Sequence, residues 1–174
     1  MNPTAQALPG YTMPAIELDT LDGGRLALDE PGWRAVVVYR GAHCPICKRY
    51  LGELETMKEK FAEADVSLVA ISADDAERAR PFIEECGFGS PVGVGLSLEA
   101  MQQLGVFISE PRSAEEAPAP FAEPALFVVN PDKVLQIVDR ANAPFVRPDM
   151  ARVLEGIGFV REKDYPIRGT HGLG

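Results

Sequence analysis

The sequence predicts an α/β protein with a central mixed sheet flanked by helices and a β-hairpin extension at its N-terminal side. Three observations predict it. The run Ala35–Tyr39 is continuously apolar and β-branched, the composition of a strand buried on both faces, and Val66–Ile71 reads as a second apolar strand. Helical patterns follow each run, over residues 45–64 and from Asp74-Asp75 to about Cys86. Leu126–Val129 and Val134–Val138, joined by Asn130-Pro131-Asp132-Lys133, read as strand, turn and strand. Strands alternating with helices argue for a helix-flanked sheet, and the closing hairpin adds antiparallel pairing.

In chain order, residues 1–14 are polar, carry Pro3, Pro9 and Pro14, and read as an extended lead-in. Ile16-Glu17-Leu18-Asp19 and Arg25-Leu26-Ala27-Leu28 alternate around Asp22-Gly23-Gly24, a hairpin signature. After the strand Ala35–Tyr39, Cys47, Leu51, Leu54, Met57 and Phe61 recur at helical spacing, with Pro45 where a first turn tolerates proline. In the next helix Gly87 supplies the stop, and Pro81 predicts a break or kink. Val92–Leu96 reads as a Gly-rich strand, and Ser97 opens a short helix to about Leu104. Residues 109–123, rich in Pro, Ala and Glu, form a long loop. Pro148 and Asp149 start a last helix to about Gly158, and residues 163–174 read as a frayed tail. No linker or repeat divides the chain, so residues 1–174 read as one domain.

Composition narrows the function. With 17 Lys and Arg against 26 Asp and Glu the formal net charge is −9, which disfavours nucleic acid and anionic membrane surfaces as partners. No apolar run approaches the ~20 residues a membrane helix needs, and Met1–Tyr11 lacks the layout of a secretion signal. The expectation is therefore a cytoplasmic protein. Three cysteines are too few for a disulfide framework, so their spacing is the informative feature.

Cys44 and Cys47 lie in Tyr39-Arg40-Gly41-Ala42-His43-Cys44-Pro45-Ile46-Cys47-Lys48, between a buried strand and a helix. Cys44 is expected at the helix N-terminus, where unpaired N–H groups and the helix dipole favour a thiolate. His43 and Arg40 can add positive charge if they turn toward the sulfur, and Lys48 lies at the same helix end. Cys47, three residues on, shares a helix face with Cys44 and is placed to attack a mixed disulfide formed there. The pair is thus expected at the mouth of a helix, within reach of an outside partner. A closed zinc site would need two further ligands, for which only Cys86, His43 and His171 offer themselves, so no metal or other cofactor is expected. Cys86 reads as a small buried hydrophobe with a resolving thiol as the alternative. Trp33 is expected to pack the hairpin against the sheet, His171 to be solvated, and Arg112 and Phe121 are weak candidates for contacts near the site.

At these residues the chain resembles the thioredoxin superfamily, in particular its peroxiredoxin-like branch, the alkyl hydroperoxide reductase/thiol-specific antioxidant group. Pro9–Pro14 with the Asp22-Gly23-Gly24 turn resembles that branch's N-terminal hairpin. Val36–Gly41 followed by Cys44-Pro45-Ile46-Cys47 resembles its F-Y-R-G-x-W-C-P-x-C pattern, with His43 in place of the aromatic. Ser67–Ser72 resembles the second core strand, and Glu123–Val129 the strand preceded by a cis-proline. The resemblance, over roughly residues 9–160, implies a thioredoxin-like fold. It also implies a cis Pro124 facing the cysteines and offering a backbone edge to a partner. The peroxiredoxin motif P-x-x-x-T-x-x-C is absent in both registers: with Cys47 as the peroxidatic residue, Arg40 and Cys44 stand where Pro and Thr belong. The late-strand arginine is replaced by Glu123-Pro124, and the strand Ala35–Tyr39 lacks a buried acid, for which Glu123 could substitute.

The expected function is a thiol–disulfide oxidoreductase in which Cys44 attacks, Cys47 resolves, His43 and Arg40 stabilise the thiolate, and Pro45 and Pro124 support the geometry. The alternative is a thiol peroxidase acting on hydrogen peroxide or alkyl hydroperoxides, with Cys44 or Cys47 peroxidatic. A non-catalytic binding module of the same fold is the third reading. The partners implied are a protein or small-molecule disulfide, or a peroxide, and an external thiol reductant. A homodimer is left open.

Overall fold

A computed structural model describes residues 7–173 of the chain; the first part of the expected lead-in, residues 1–6, lies outside them. The chain order is β1 (Glu17–Thr20), β2 (Arg25–Ala27), β3 (Trp33–Val38), α1 (Pro45–Glu55), α2 (Lys58–Glu63), β4 (Val66–Ile71) and α3 (Ala76–Cys86). Then come β5 (Val92–Val94), α4 (Leu98–Leu104), β6 (Ile108–Ser109), β7 (Phe121–Ala122), β8 (Ala125–Val129), β9 (Leu135–Arg140) and α5 (Met150–Lys163). Seven strands form one sheet in the order β2-β1-β5-β4-β3-β8-β9. β3, β4 and β5 are parallel neighbours, whereas β1 and β8 join them antiparallel. The sheet is mixed, as the sequence predicts.

The alternation of side chains on β3 shows why these runs are strands. Ala35, Val37 and Tyr39 pack into one core layer with α1, α2, α3 and α5, while Val36 and Val38 pack into the other with α4. β8 repeats the division, with Leu126 and Val128 on the first face and Phe127 and Val129 on the second. Both faces of β8 and of β3 from Ala35 onward are therefore dry, which requires the continuous apolar sequence seen there. The lead-in from Ala7 is docked, with Gly10 N–H donating to the Leu135 carbonyl at 2.9 Å and Met13 N–H to that of Lys133 at 2.8 Å.

Several expectations are corrected. The helix expected over residues 45–64 is two helices, because Thr56 Oγ1 donates to the Glu53 carbonyl at 2.6 Å and Met57 N–H closes on Leu54. This side-chain bond competes with the helical ladder. Pro81 does not break α3, which is held at both ends by the Asp75 cap on Arg78 N–H and by Gly87 in the left-handed region. The segment 109–123 is a loop only in its middle, since its ends pair as β6 and β7. The last helix continues past Gly158 to Lys163. Among the described residues the tail beyond it, 164–173, has no helix or strand, but the Tyr165 ring lies 5.4 Å from that of Phe159.

The fold places the functional segment at the C-terminal edge of the parallel strands. β3 runs out at Val38, Tyr39 N–H still bonds the Ile71 carbonyl at 3.0 Å, and the next residues turn directly into α1. The β4–α3 connection, the β7–β8 junction and the segment between β9 and α5 converge on that turn. Replacing Phe127 by alanine, at the centre of the α4 face, is expected to lower unfolding free energy by about 3–5 kcal/mol. Chemical denaturation checks it, with the midpoint falling at unchanged slope.

Candidate functional site

Cys44 is the N-cap of α1, with extended backbone (φ −107°, ψ 100°), and Pro45 follows in the first turn. Proline costs nothing there, since its missing N–H would have had no helical partner. Cys44 Sγ accepts the N–H of Cys47 at 3.2 Å. The two Cα atoms are 5.2 Å apart and the sulfurs stand as a disulfide, in the usual range for a bridge. A helix N-terminus thus aims a donor at the first sulfur, which is the arrangement that favours a thiolate when the pair is reduced.

The second sulfur has a partner that the sequence reading missed. Arg147, between β9 and α5, donates from Nη2 to Cys47 Sγ at 2.8 Å. Its Nε donates to the Pro144 carbonyl at 2.8 Å, and its guanidinium lies 4.9 Å from the Tyr50 ring centroid. Tyr50 Oη donates to the Pro148 carbonyl at 3.0 Å, tying the same segment to α1. Burial presses the Arg147 guanidinium below its ordinary proton affinity. No local spacing signals this contact, because Arg147 lies a hundred residues from Cys47 and only the return of the chain to α5 brings it in.

The expected supporting residues sit differently from their expected roles. Arg40 Nε is 3.0 Å from Glu123 Oε2, an ion pair in which the N–H is not aligned for a hydrogen bond, and its guanidinium stacks 5.0 Å from the Phe121 centroid. Its charge is spent on a buried carboxylate, which also accepts from Ser109 Oγ at 2.7 Å. His43 lies against Phe121, with ring centroids 4.5 Å apart, and neither ring nitrogen has a hydrogen-bond partner among the described residues. Burial first and the Arg40 charge second push its imidazole below the ordinary 6.5, so it is neutral at pH 7 and brings no charge to the sulfur. Lys48 pairs with Glu85 at the surface at 2.5 Å instead. Pro124 is buried, but no cis peptide occurs among the described residues, so the expected cis-proline is corrected. Its carbonyl accepts Ala141 N–H at 2.9 Å, continuing the pairing of β8 with β9, and is therefore engaged.

The largest correction concerns access. Cys44 is 1 % exposed and Cys47 0 %, so the pair lies beneath a cover rather than open at the helix mouth. Around the site, Phe121 is buried against His43 and Arg40, while Arg112, far out on its loop, pairs with Glu116. Cys86 is a half-buried free thiol, pushed up by burial, and exposed His171 sits in the tail.

A family model described as the AhpC/TSA family matches residues 9–138. Among curated proteins, 1-Cys peroxiredoxin B of Oryza sativa subsp. japonica is 26 % identical over 143 residues, 75 % of this chain and 64 % of that protein. Thiol-disulfide oxidoreductase ResA of Halalkalibacterium halodurans is 24 % identical over 91 residues, 51 % of this chain and 52 % of that protein. The chain thus spans 52 to 64 % of these relatives. Among solved structures, peroxiredoxin 6 of Arenicola marina superposes with a TM-score of 0.78 at 18 % identity, covering 90 % of this chain and 74 % of that one. AhpC of Mycobacterium tuberculosis gives 0.75 at 18 %, covering 92 % and 97 %. These structural likenesses establish a thioredoxin-like, peroxiredoxin-type fold.

The lowered His43 value fixes a pH effect. Its folded pKa lies below 6.5, so the unfolded chain takes up the proton first. The neutral ring's contribution is complete above 6.5 and is lost as pH falls through the folded value. Glu116, held at about 2 by its contacts with Arg112, stays ionised throughout. Between pH 7.5 and about 5, wild-type melting temperature is expected to fall more steeply than that of His43→Gln. Equal slopes would remove His43 as the cause.

Proposed function

The chain belongs to the AhpC/TSA family, and from that premise we propose that it is a thiol–disulfide oxidoreductase working through Cys44 and Cys47. The observation that carries this reading is the placement of the two sulfurs at bonding separation on the first turn of α1, with Cys44 Sγ accepting a helix N-terminal N–H. In the reduced protein Cys44 thiolate attacks one sulfur of a substrate disulfide. A mixed disulfide forms and the other substrate thiolate leaves. Cys47, its thiolate stabilised by Arg147, then attacks Cys44 Sγ, closes the intramolecular bond and releases the second substrate thiol. Two electrons pass to the substrate, and an external dithiol returns them. Pro45 holds the first turn, and Pro124 shapes the wall behind it. A cytoplasmic setting, where a thiol pool keeps such pairs reducible, suits this cycle.

Burial of both sulfurs favours a second reading, reduction of hydrogen peroxide or an alkyl hydroperoxide, because a small oxidant needs a smaller opening than a folded substrate. Here one thiolate attacks the peroxide, an S–O bond forms as the O–O bond breaks, and the alcohol or water leaves with a proton. The neighbouring thiol displaces water from the sulfenic acid to give the same disulfide. The Arg147 contact favours Cys47 as the attacking sulfur in this reading.

Reduction of a protein disulfide by wild type, Cys44→Ser and Cys47→Ser tests the first reading. Loss of turnover in both variants is expected, with the mixed disulfide trapped in Cys47→Ser; undiminished turnover in Cys44→Ser overturns it. Rapid-mixing oxidation by hydrogen peroxide tests the second. Arg147→Gln is expected to slow that oxidation by about 10- to 100-fold, the worth of one charge-assisted hydrogen bond. A wild-type rate no faster than a free thiol at the same thiolate fraction discards peroxide as substrate.

A further inference from the structure

One buried carboxylate holds the segment that delivers Cys44 to its helix. Asp74, 6 % exposed, lies between β4 and α3. Its Oδ2 accepts the N–H of Ala42 at 2.6 Å, and its Oδ1 lies 3.3 Å from Arg78 Nε as acceptor. The approach is so close that a Cβ on Gly41 would sit 2.8 Å from Oδ2, and Gly41 has φ +138°. The Gly41 carbonyl in turn accepts Cys44 N–H at 3.1 Å. Capping does not explain the burial of this charge, since α3 is capped by the neighbouring Asp75. A carboxylate is costly to bury unless it is paired and hydrogen-bonded, and here the bond that offsets the cost is the one to the Ala42 N–H, with Arg78 as the counter-ion. Its cation, Arg78, reaches onward and donates from Nη2 to the Glu116 carbonyl at 3.0 Å, beside buried Ala117.

We propose that Asp74 is the positioning residue of the redox centre: it fixes the Gly41–Ala42 turn that sets Cys44 at the N-terminus of α1, and through Arg78 it ties that turn to the segment around Glu116 and Ala117. The assignment rests on Cys44 and Cys47 being the redox pair. Asp74 acts through the backbone of residues 41–44 and touches no reacting atom. The charged groups around this junction are Arg78 on α3, Arg40 on the turn itself and Glu116 on the loop, with the neutral His43 and the Tyr39 hydroxyl as titratable neighbours; His43 feels those three charges together with Asp74, and Tyr39 feels Asp74.

The test uses the full chain with Cys47→Ser and Cys86→Ser, so that only Cys44 alkylates. Two measurements are compared among wild-type, Asp74→Asn and Asp74→Ala versions: the pH dependence of Cys44 alkylation, and hydrogen exchange at the Ala42 amide. Asp74→Asn keeps an acceptor for Ala42 and is expected to retain both within about twofold. Asp74→Ala is expected to raise the Cys44 midpoint by about one pH unit, a tenfold loss of thiolate below it, and to expose the Ala42 amide. An Asp74→Ala protein with the parent's alkylation profile and amide protection overturns the assignment, as does an Asp74→Asn protein as impaired as Asp74→Ala. If Asp74→Ala does not fold, Gly41→Ala, which crowds the same contact from the other side, must shift the profile while Asp74→Asn keeps it; the reverse overturns the assignment. Neither readout needs turnover. A parent protein whose Cys44 alkylates as an ordinary thiol counts against the oxidoreductase reading, and Ala42 exchange still decides the role of Asp74.

Discussion

The structure depends on how a strand becomes a helix at one point. From Ala35 to Val38 β3 is dry on both faces and carries no polar side chain, so the chain delivers its chemistry only where the strand ends. Within six residues of Val38 it passes a glycine with positive φ, closes a turn on Gly41 and starts α1 at Cys44. The first free N–H groups of that helix meet a sulfur instead of water. Everything else around the site either holds this junction or covers it.

Two arginines divide the electrostatics. Arg40 neutralises the buried Glu123, and the imidazole beside it stays uncharged. Arg147 is the cation that meets a sulfur, and it does so across the long return from β9. The positive charge therefore falls on Cys47, one turn inside the helix, while Cys44 relies on the helix terminus. A pair built this way has an anion-stabilising donor for each sulfur, from two independent parts of the fold.

Much of this was legible in the sequence where local chemistry decides the outcome. The hairpin around Asp22-Gly23-Gly24, the dry strands, the caps at Asp75, Ser97 and Asp149, and the cysteine spacing all follow from short-range rules. The split after Glu55 was hidden because a single threonine hydroxyl decides it against an otherwise continuous period. Arg147 and Asp74 were hidden for a different reason. Each acts on residues 41–47 from a distant stretch of chain, and a charged side chain beside a proline or in an acidic pair reads locally as a cap or a solvated surface. The cis-proline failed as an expectation because it came from resemblance alone. Accessibility was beyond spacing altogether, since it depends on how three loops meet.

The sealing of Cys44 and Cys47, against a half-buried Cys86, bears on how this protein is handled at the bench. A colorimetric reading of sulfhydryls on the folded, reduced chain takes Cys86 first and the two buried thiols more slowly. The full complement appears once the chain is denatured. A preparation judged by the first moments of a native reading would be scored as oxidised whatever its true state.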